Sequence, residues 1–151
     1  MKFIAMCKRL KAKSTVIICV GEKERDVHGN YFSVVEAQLR AALRNVDTAE
    51  LKRVVIAYEP VWAIGTGNTA TAEDAYEMML FIQKLLTDRF SRKAAETVRV
   101  LYGGSVKKKN AQELLTVGKV DGFLIGGASL KAAEFTGIID IAEAYAKEQA
   151  A

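Results

Sequence analysis

The chain has few of the residues that interrupt regular structure or tie it together covalently. Its 151 residues include one proline, Pro60, which excludes proline-rich linkers and polyproline segments. Cysteine occurs twice, at Cys7 and Cys19. Cys7 falls in an expected helix and Cys19 in an expected buried strand, so both read as reduced core thiols rather than a bridge. The only histidine, His28, lies in the polar stretch from Glu22 to Asn30 and reads as a solvated loop residue. No apolar run approaches the roughly 20 residues of a membrane span. The opening Met1-Lys2-Phe3-Ile4-Ala5-Met6 is short and followed by basic residues, which is not a secretory pattern. We expect a cytoplasmic protein with no membrane partner, no cofactor and no metal.

Charge of one sign is also modest, at +4 net. Lys8-Arg9, Lys11 with Lys13, and Lys107-Lys108-Lys109 lack interleaved aromatics and any recognition motif, so a nucleic-acid partner is not expected. They read as solvated helix faces, with attraction of small anions as a weaker functional reading. Half of the residues are apolar and 26% are charged, the balance of an ordinary globular domain. The length suits a single domain over residues 1–151.

Four short runs rich in β-branched residues stand out: Thr15 to Val20, Arg53 to Tyr58, Val98 to Tyr102 and Asp121 to Ile125. Each is almost continuously apolar, as expected for strands buried on both faces of a parallel sheet. Segments of helical period lie between them. Val35, Leu39, Ala42, Leu43 and Val46 form one stripe. Ala75, Met78, Met79, Ile82 and Leu86 form another, after Thr71-x-x-Asp74, which has capping-box form. A further helix starts near Asn110, and the last carries Phe135, Ile138, Ile139, Ala142 and Tyr145. Phe3 to Leu10 reads as a leading helix. The pattern predicts an α/β fold of about four parallel βα units, and periodicity alone leaves open a doubly wound sheet or part of a barrel.

In both architectures chemistry gathers at the carboxyl ends of the strands. Those ends read Gly21-Glu22, Glu59-Pro60, Gly103-Gly104-Ser105 and Gly126-Gly127-Ala128-Ser129. Pro60 disfavours helix for the residue before it, which keeps Glu59 extended at the strand tip. Partial desolvation there favours a general base, although a glutamate at a strand end is more often a cap or a solvated residue. The following Val61-Trp62-Ala63-Ile64-Gly65-Thr66-Gly67-Asn68-Thr69-Ala70 has an apolar front, two glycines and a polar tail. It is either a lid or a static loop with Trp62 packed on the core. The two Gly-Gly pairs let backbone N–H groups approach an anion, and Ser105 can donate as well, so a phosphate site is indicated.

Ala57-Tyr58-Glu59-Pro60-Val61-Trp62-Ala63-Ile64-Gly65-Thr66-Gly67 resembles the signature of the triosephosphate isomerase family. So do Tyr102-Gly103-Gly104-Ser105-Val106 and the run from Val120 through Asp121-Gly122-Phe123-Leu124-Ile125-Gly126-Gly127-Ala128-Ser129 to Leu130, while Cys19-Val20-Gly21-Glu22 is similar to the end of its fifth strand. The resemblance covers nearly the whole chain and implies a partial (β/α)8 TIM barrel, strands five to eight. It implies that Glu59 is the base interconverting dihydroxyacetone phosphate and glyceraldehyde 3-phosphate through an enediolate. It makes Pro60 to Ala70 the lid, with Gly65, Ser105, Gly126 and Gly127 holding the phosphate of a triose phosphate, or inorganic phosphate or sulfate. Tyr102 and Ser105 would bond the closed lid, and Ile64 and Leu124 would press apolar surface on Glu59. Asn68 stands where many members carry lysine, a departure that bears on hinging.

The family's early asparagine and lysine, and its His-Ser-Glu-Arg-like motif, have no counterpart in this sequence, and His28 is no replacement. A half-barrel leaves sheet edges and interior unpaired. The resemblance therefore implies a chain inactive alone, working with a complementary N-terminal half. The alternative is a non-catalytic phosphate-binding half-barrel that assembles with itself as a homo-oligomer.

Overall fold

Three of the four β-branched runs form strands: β1 (Val16–Val20), β2 (Val54–Tyr58) and β3 (Arg99–Tyr102). The structure, a computed structural model, describes residues 14–65 and 68–150. The expected leading helix from Phe3 to Leu10, and Cys7 within it, lie outside the described residues. The strands pair in parallel in the order β1-β2-β3, in a register that sets Val20 beside Tyr58 and Tyr58 beside Tyr102.

The expected fourth strand from Asp121 to Ile125 is reduced to a single parallel bridge between Phe123 and Tyr102. The segment still runs along β3. The Asp121 N–H donates to the Val100 carbonyl, the Tyr102 N–H to that of Gly122 and the Leu124 N–H to that of Tyr102, each at 3.0 Å. Two local features cut the ladder short. Gly122 sits at φ 153°, a conformation open to glycine but foreign to a regular strand. The Val100 N–H donates to the Asp121 carboxylate at 2.7 Å, so a side chain takes the place of a ladder carbonyl.

The helices are α1 (Asn30–Leu43), α2 (Thr48–Leu51), α3 (Ala72–Arg89), α4 (Arg92–Ala95), α5 (Lys108–Thr116) and α6 (Ala132–Ala150). The predicted capping box opens α3: the Asp74 N–H donates to Thr71 Oγ1 at 3.1 Å and the Thr71 N–H to Asp74 Oδ2 at 2.9 Å. These bonds satisfy two of the N–H groups that a helix start leaves without partners. The stripes on α1 and α3 face the sheet, with Val35, Leu39 and Leu43 of α1 and Ala75, Met78, Ile82 and Leu86 of α3 buried. They join Val20, Ile56, Tyr58, Val100, Tyr102 and Leu114 in one core. Burial of each large apolar side chain contributes about 1.5–3 kcal/mol.

The central strand β2 is largely buried on both faces, as the sequence predicts, whereas β1 is not. Along β1, Ile17 is 48% exposed and Cys19 is exposed as well, so Cys19 is not a core thiol. The strand period of two puts both on the face opposite the helices. The pairing aligns Ile17 with Val55 and Cys19 with Ala57 and Leu101 on that face. The apolar stripe of α6 likewise exceeds what covers it: Ile138 is buried, whereas Phe135 and Ile139 are 36% and 47% exposed.

Burial predicts the hierarchy of core substitutions. Met78→Ala should cost about 2–5 kcal/mol in urea denaturation. Leu80→Ala, two residues on and 49% exposed, should stay within about 0.5 kcal/mol.

Candidate functional site

The parallel pairing continues one residue past the strand ends. The Glu59 N–H donates to the Val20 carbonyl at 2.8 Å and the Gly103 N–H to the Tyr58 carbonyl at 2.7 Å, which places Gly21, Glu59 and Gly103 side by side on one rim. A Cβ on Gly21 would lie 1.7 Å from the Glu59 carbonyl oxygen, and one on Gly103 would lie 2.7 Å from Glu59 Cγ. Real Cβ atoms do not make such contacts, so glycine on both flanks gives Glu59 its seat. The Cys19 thiol lies near the Glu59 carboxylate. Desolvation pushes this thiol above its ordinary pKa, and the neighbouring carboxylate pushes it further.

The chain leaving Glu59 is held by a residue to which the sequence alone gave no role. Glu22 is 1% exposed, and its Oε1 accepts from the Tyr58 hydroxyl at 2.9 Å and from Trp62 Nε1 at 2.7 Å. Its backbone carbonyl accepts from the Val61 N–H at 3.0 Å. Trp62 lies in a one-turn 3-10 helix, Val61–Ala63, and packs against the core. The signal was present in the sequence, because Glu22 ends an apolar strand just as Glu59 does. Three residues on, Arg25 pairs with Asp74 and Glu77 of α3 and lies over the Tyr31 ring.

Four residues expected at a phosphate site come together. Gly65, Ser105, Gly126 and Gly127 line one cavity of about 630 Å³, with Ile64, Gly103, Gly104, Lys107, Lys131 and Glu134 also in its wall. The N–H groups of Gly65, Ser105, Gly126 and Gly127 donate to no backbone carbonyl among the described residues. Gly127 opens a second 3-10 turn, Gly127–Leu130, and Gly65 adopts φ 71°, a left-handed conformation natural to glycine. Asn110, unremarked in sequence except as a helix start, fixes the loop. Its Oδ1 accepts the Lys107 N–H at 2.7 Å and its Nδ2 donates to the Ser105 carbonyl at 2.9 Å.

The remaining expected residues are spread around this cavity. Ile64 is 45% exposed on its edge. Pro60 and Ala70 are buried, Asn68 and Thr69 are exposed, and Thr66 and Gly67 lie outside the described residues. Leu124 is half-buried beside Tyr102. The Tyr102 hydroxyl is buried and has no hydrogen-bond partner among the described residues. Burial first, and then the charge of Asp74, push that phenol up to about 12. Burial and Glu22 push Tyr58 up as well.

The family model described as triosephosphate isomerase matches residues 4–142. The chain belongs to the triosephosphate isomerase family. A triosephosphate isomerase of Chloroherpeton thalassium is 50% identical over 135 residues, 89% of this chain and 54% of the relative. That of Flavobacterium johnsoniae is 48% identical over 131 residues, 86% of this chain and 52% of the relative. That of Rhodopirellula baltica is 50% identical over 127 residues, 83% of this chain and 50% of the relative. The chain thus spans about half the length of these curated relatives. The α/β architecture, with its parallel sheet, is that of a partial triosephosphate isomerase barrel.

The raised phenols fix a pH dependence. An unfolded tyrosine ionises near pH 10, whereas Tyr102 in the folded chain holds its proton to about 12. Its contribution to stability is fully present below about pH 10 and is lost as pH rises through about 12. Melting temperatures at about pH 8 and pH 11 check this: wild type should lose more between them than Tyr102→Phe.

Proposed function

We propose that this chain supplies the base and the phosphate site of a triosephosphate isomerase that interconverts dihydroxyacetone phosphate and glyceraldehyde 3-phosphate. One observation carries the reading: Gly103 belongs both to the wall of the glycine-lined cavity and to the seat of Glu59. A substrate whose phosphate occupies the cavity would then present its carbons to the carboxylate. Glu59 removes a proton from the carbon beside the carbonyl, leaving an enediolate; a proton then passes from the hydroxyl oxygen to the former carbonyl oxygen, and Glu59 returns its own proton to the former carbonyl carbon, so that no electrons enter or leave. Backbone N–H groups of Gly65, Ser105, Gly126 and Gly127 bind the phosphate, since an anion there takes up donors that otherwise lack carbonyl partners.

Pro60 to Ala70 acts as the lid in this reading. Tyr102, a neutral donor with a buried hydroxyl lacking a partner among the described residues, and Ser105 bond the lid when it closes. Ile64 and Leu124 then cover Glu59 with apolar surface. Excluding water protects the enediolate from losing phosphate. These residues include no counterpart of the family's lysine and histidine, so charge on the substrate oxygens lacks donors worth several kcal/mol each. The chain by itself is therefore proposed to bind without turning over, and to act in the cytoplasm with a complementary N-terminal half.

The open sheet face bearing Ile17, Cys19 and Leu101 supports assembly of one kind or another. The second reading, a half-barrel that pairs with itself and only binds phosphate, rests on the same face. Light scattering separates the two readings, because a strict monomer removes self-pairing.

Turnover of glyceraldehyde 3-phosphate by the chain mixed with an N-terminal half of a relative tests the main reading. We expect activity that Glu59→Gln lowers on the order of 10²–10⁴-fold, with phosphate binding kept. Equal activity in both proteins would remove Glu59 from the role of base.

A further inference from the structure

We propose that Arg25 is a positioning residue for the reaction: through Asp74 it fixes Thr71, just past the far end of the lid segment, and so sets where Gly65 presents its N–H. The proposal rests on reading Pro60 to Ala70 as the lid and Gly65 as a phosphate donor. One carboxylate joins the contacts into a chain. Asp74 Oδ1 accepts from Arg25 Nη1, while Asp74 Oδ2 accepts the Thr71 N–H at 2.9 Å. A carboxylate held by one oxygen presents the other in a fixed direction, so Arg25 helps to keep the capping box of α3 closed.

The guanidinium is itself held on several sides. Its Nη2 donates to Glu77 Oε2, three residues further along α3, and the Tyr31 hydroxyl donates to the same oxygen at 3.1 Å. The guanidinium carbon lies 4.6 Å from the centre of the Tyr31 ring. A planar fork meets two carboxylates and a ring face in a way that a compact ammonium cannot. Only 15% of the Arg25 side chain is exposed, against 86% for Arg92 in its pair with Glu96, so solvent screens the Arg25 pairs less. The near end of the segment has its own tie, from Glu22 to Trp62. Glu22 and Arg25 belong to one connection, so both ends are fixed relative to the end of β1. Gly65 lies between these ties, at φ 71° on the cavity wall. With the far tie loosened, the segment pivots about Trp62 and carries the Gly65 N–H away from the cavity. Ser105, Gly126 and Gly127 stand on other loops and stay in place.

The test is titration of the full chain with inorganic phosphate, read at the amide resonances of Gly65, Ser105, Gly126 and Gly127, all of which should shift in wild type. Arg25→Gln should speed hydrogen exchange at the Thr71 amide and reduce the Gly65 shift, each about two- to fivefold, with the other three shifts kept. Asp74→Asn, which loses the partner of Arg25 but keeps an oxygen for the Thr71 N–H, should act in the same way. It carries the test if Arg25→Gln does not fold. Glu77→Gln removes the carboxylate of the same fork that takes no part in the capping box. It should lower the melting temperature as Arg25→Gln does, yet change the two amide readings by less than about twofold. An equal effect of Glu77→Gln on Gly65 would reduce Arg25 to a general support of α3 and overturn its positioning role. A Gly65 shift that Arg25→Gln and Asp74→Asn leave unchanged would overturn it too, while the phosphate site stands. If no amide of wild type responds to phosphate, the positioning role and the site fall together.

Discussion

Glu59 occupies the rim of the sheet only because glycine stands on both neighbouring strands. The parallel register places Gly21 and Gly103 at its level, and either would collide with it if it carried a Cβ. This steric constraint links features that are distant in sequence. It brings the end of β3 against the carboxylate, and the same loop continues through Gly104 and Ser105 into the cavity wall. It also leaves the Cys19 thiol on the open face beside Glu59. The distance from Glu59 to the cavity is thus set by backbone hydrogen bonds of the ladder, which are harder to displace than side chains on loops.

A second constraint acts behind the rim. Residues 21–25, in the connection from β1 to α1, hold both flanks of the segment that follows Glu59. Gln38 binds Gly21 through its N–H and its carbonyl, at 2.8 and 2.9 Å. Glu22 binds Trp62 and Tyr58 on the near flank, and Arg25 binds Asp74 on the far flank, within the capping box of α3. Two donors on the Glu22 Oε1 offset part of the cost of burying this carboxylate, whose Oε2 has no hydrogen-bond partner among the described residues. Removing either donor would leave part of that cost standing, which makes the pair of bonds a strong anchor for the tryptophan.

Much of this was legible in the sequence because the signals are local. The strand boundaries fall within a residue of the apolar runs, and Thr71-x-x-Asp74 closes as its spacing requires. Glu59-Pro60 and the two Gly-Gly pairs fall on one rim because parallel strands allow nothing else. The structure corrects the sequence where burial depends on what lies across a face. Ile17, Cys19, Phe135 and Ile139 carry an apolar pattern for surfaces that the described residues do not cover. The fourth strand failed for a local reason, the Asp121 carboxylate and the φ of Gly122. Contacts between residues far apart in the chain, such as Glu22 with Trp62 or the Lys108 N–H with Glu134, leave no periodic trace and needed the fold.

The division of residues along the chain has a physical consequence. In the proposed reading, the features gathered here, a carboxylate on a rigid ladder and a cavity with N–H donors lacking backbone carbonyl partners among the described residues, serve proton removal and phosphate binding. The seat of Glu59 is built from β1–β3 and the residues directly after them, and the cavity also takes Gly126, Gly127, Lys131 and Glu134 from the segment leading into α6 and its first turn. Stabilising the charge that develops on substrate oxygens is a separate task, one that requires donors placed on the opposite side of the substrate. In the proposed reading the open face of Ile17, Val55 and Leu101 is therefore more than a surface awaiting cover. The elements that bury it would also carry the missing donors to the far side of the same ligand, so closing the core and completing the chemistry become one event.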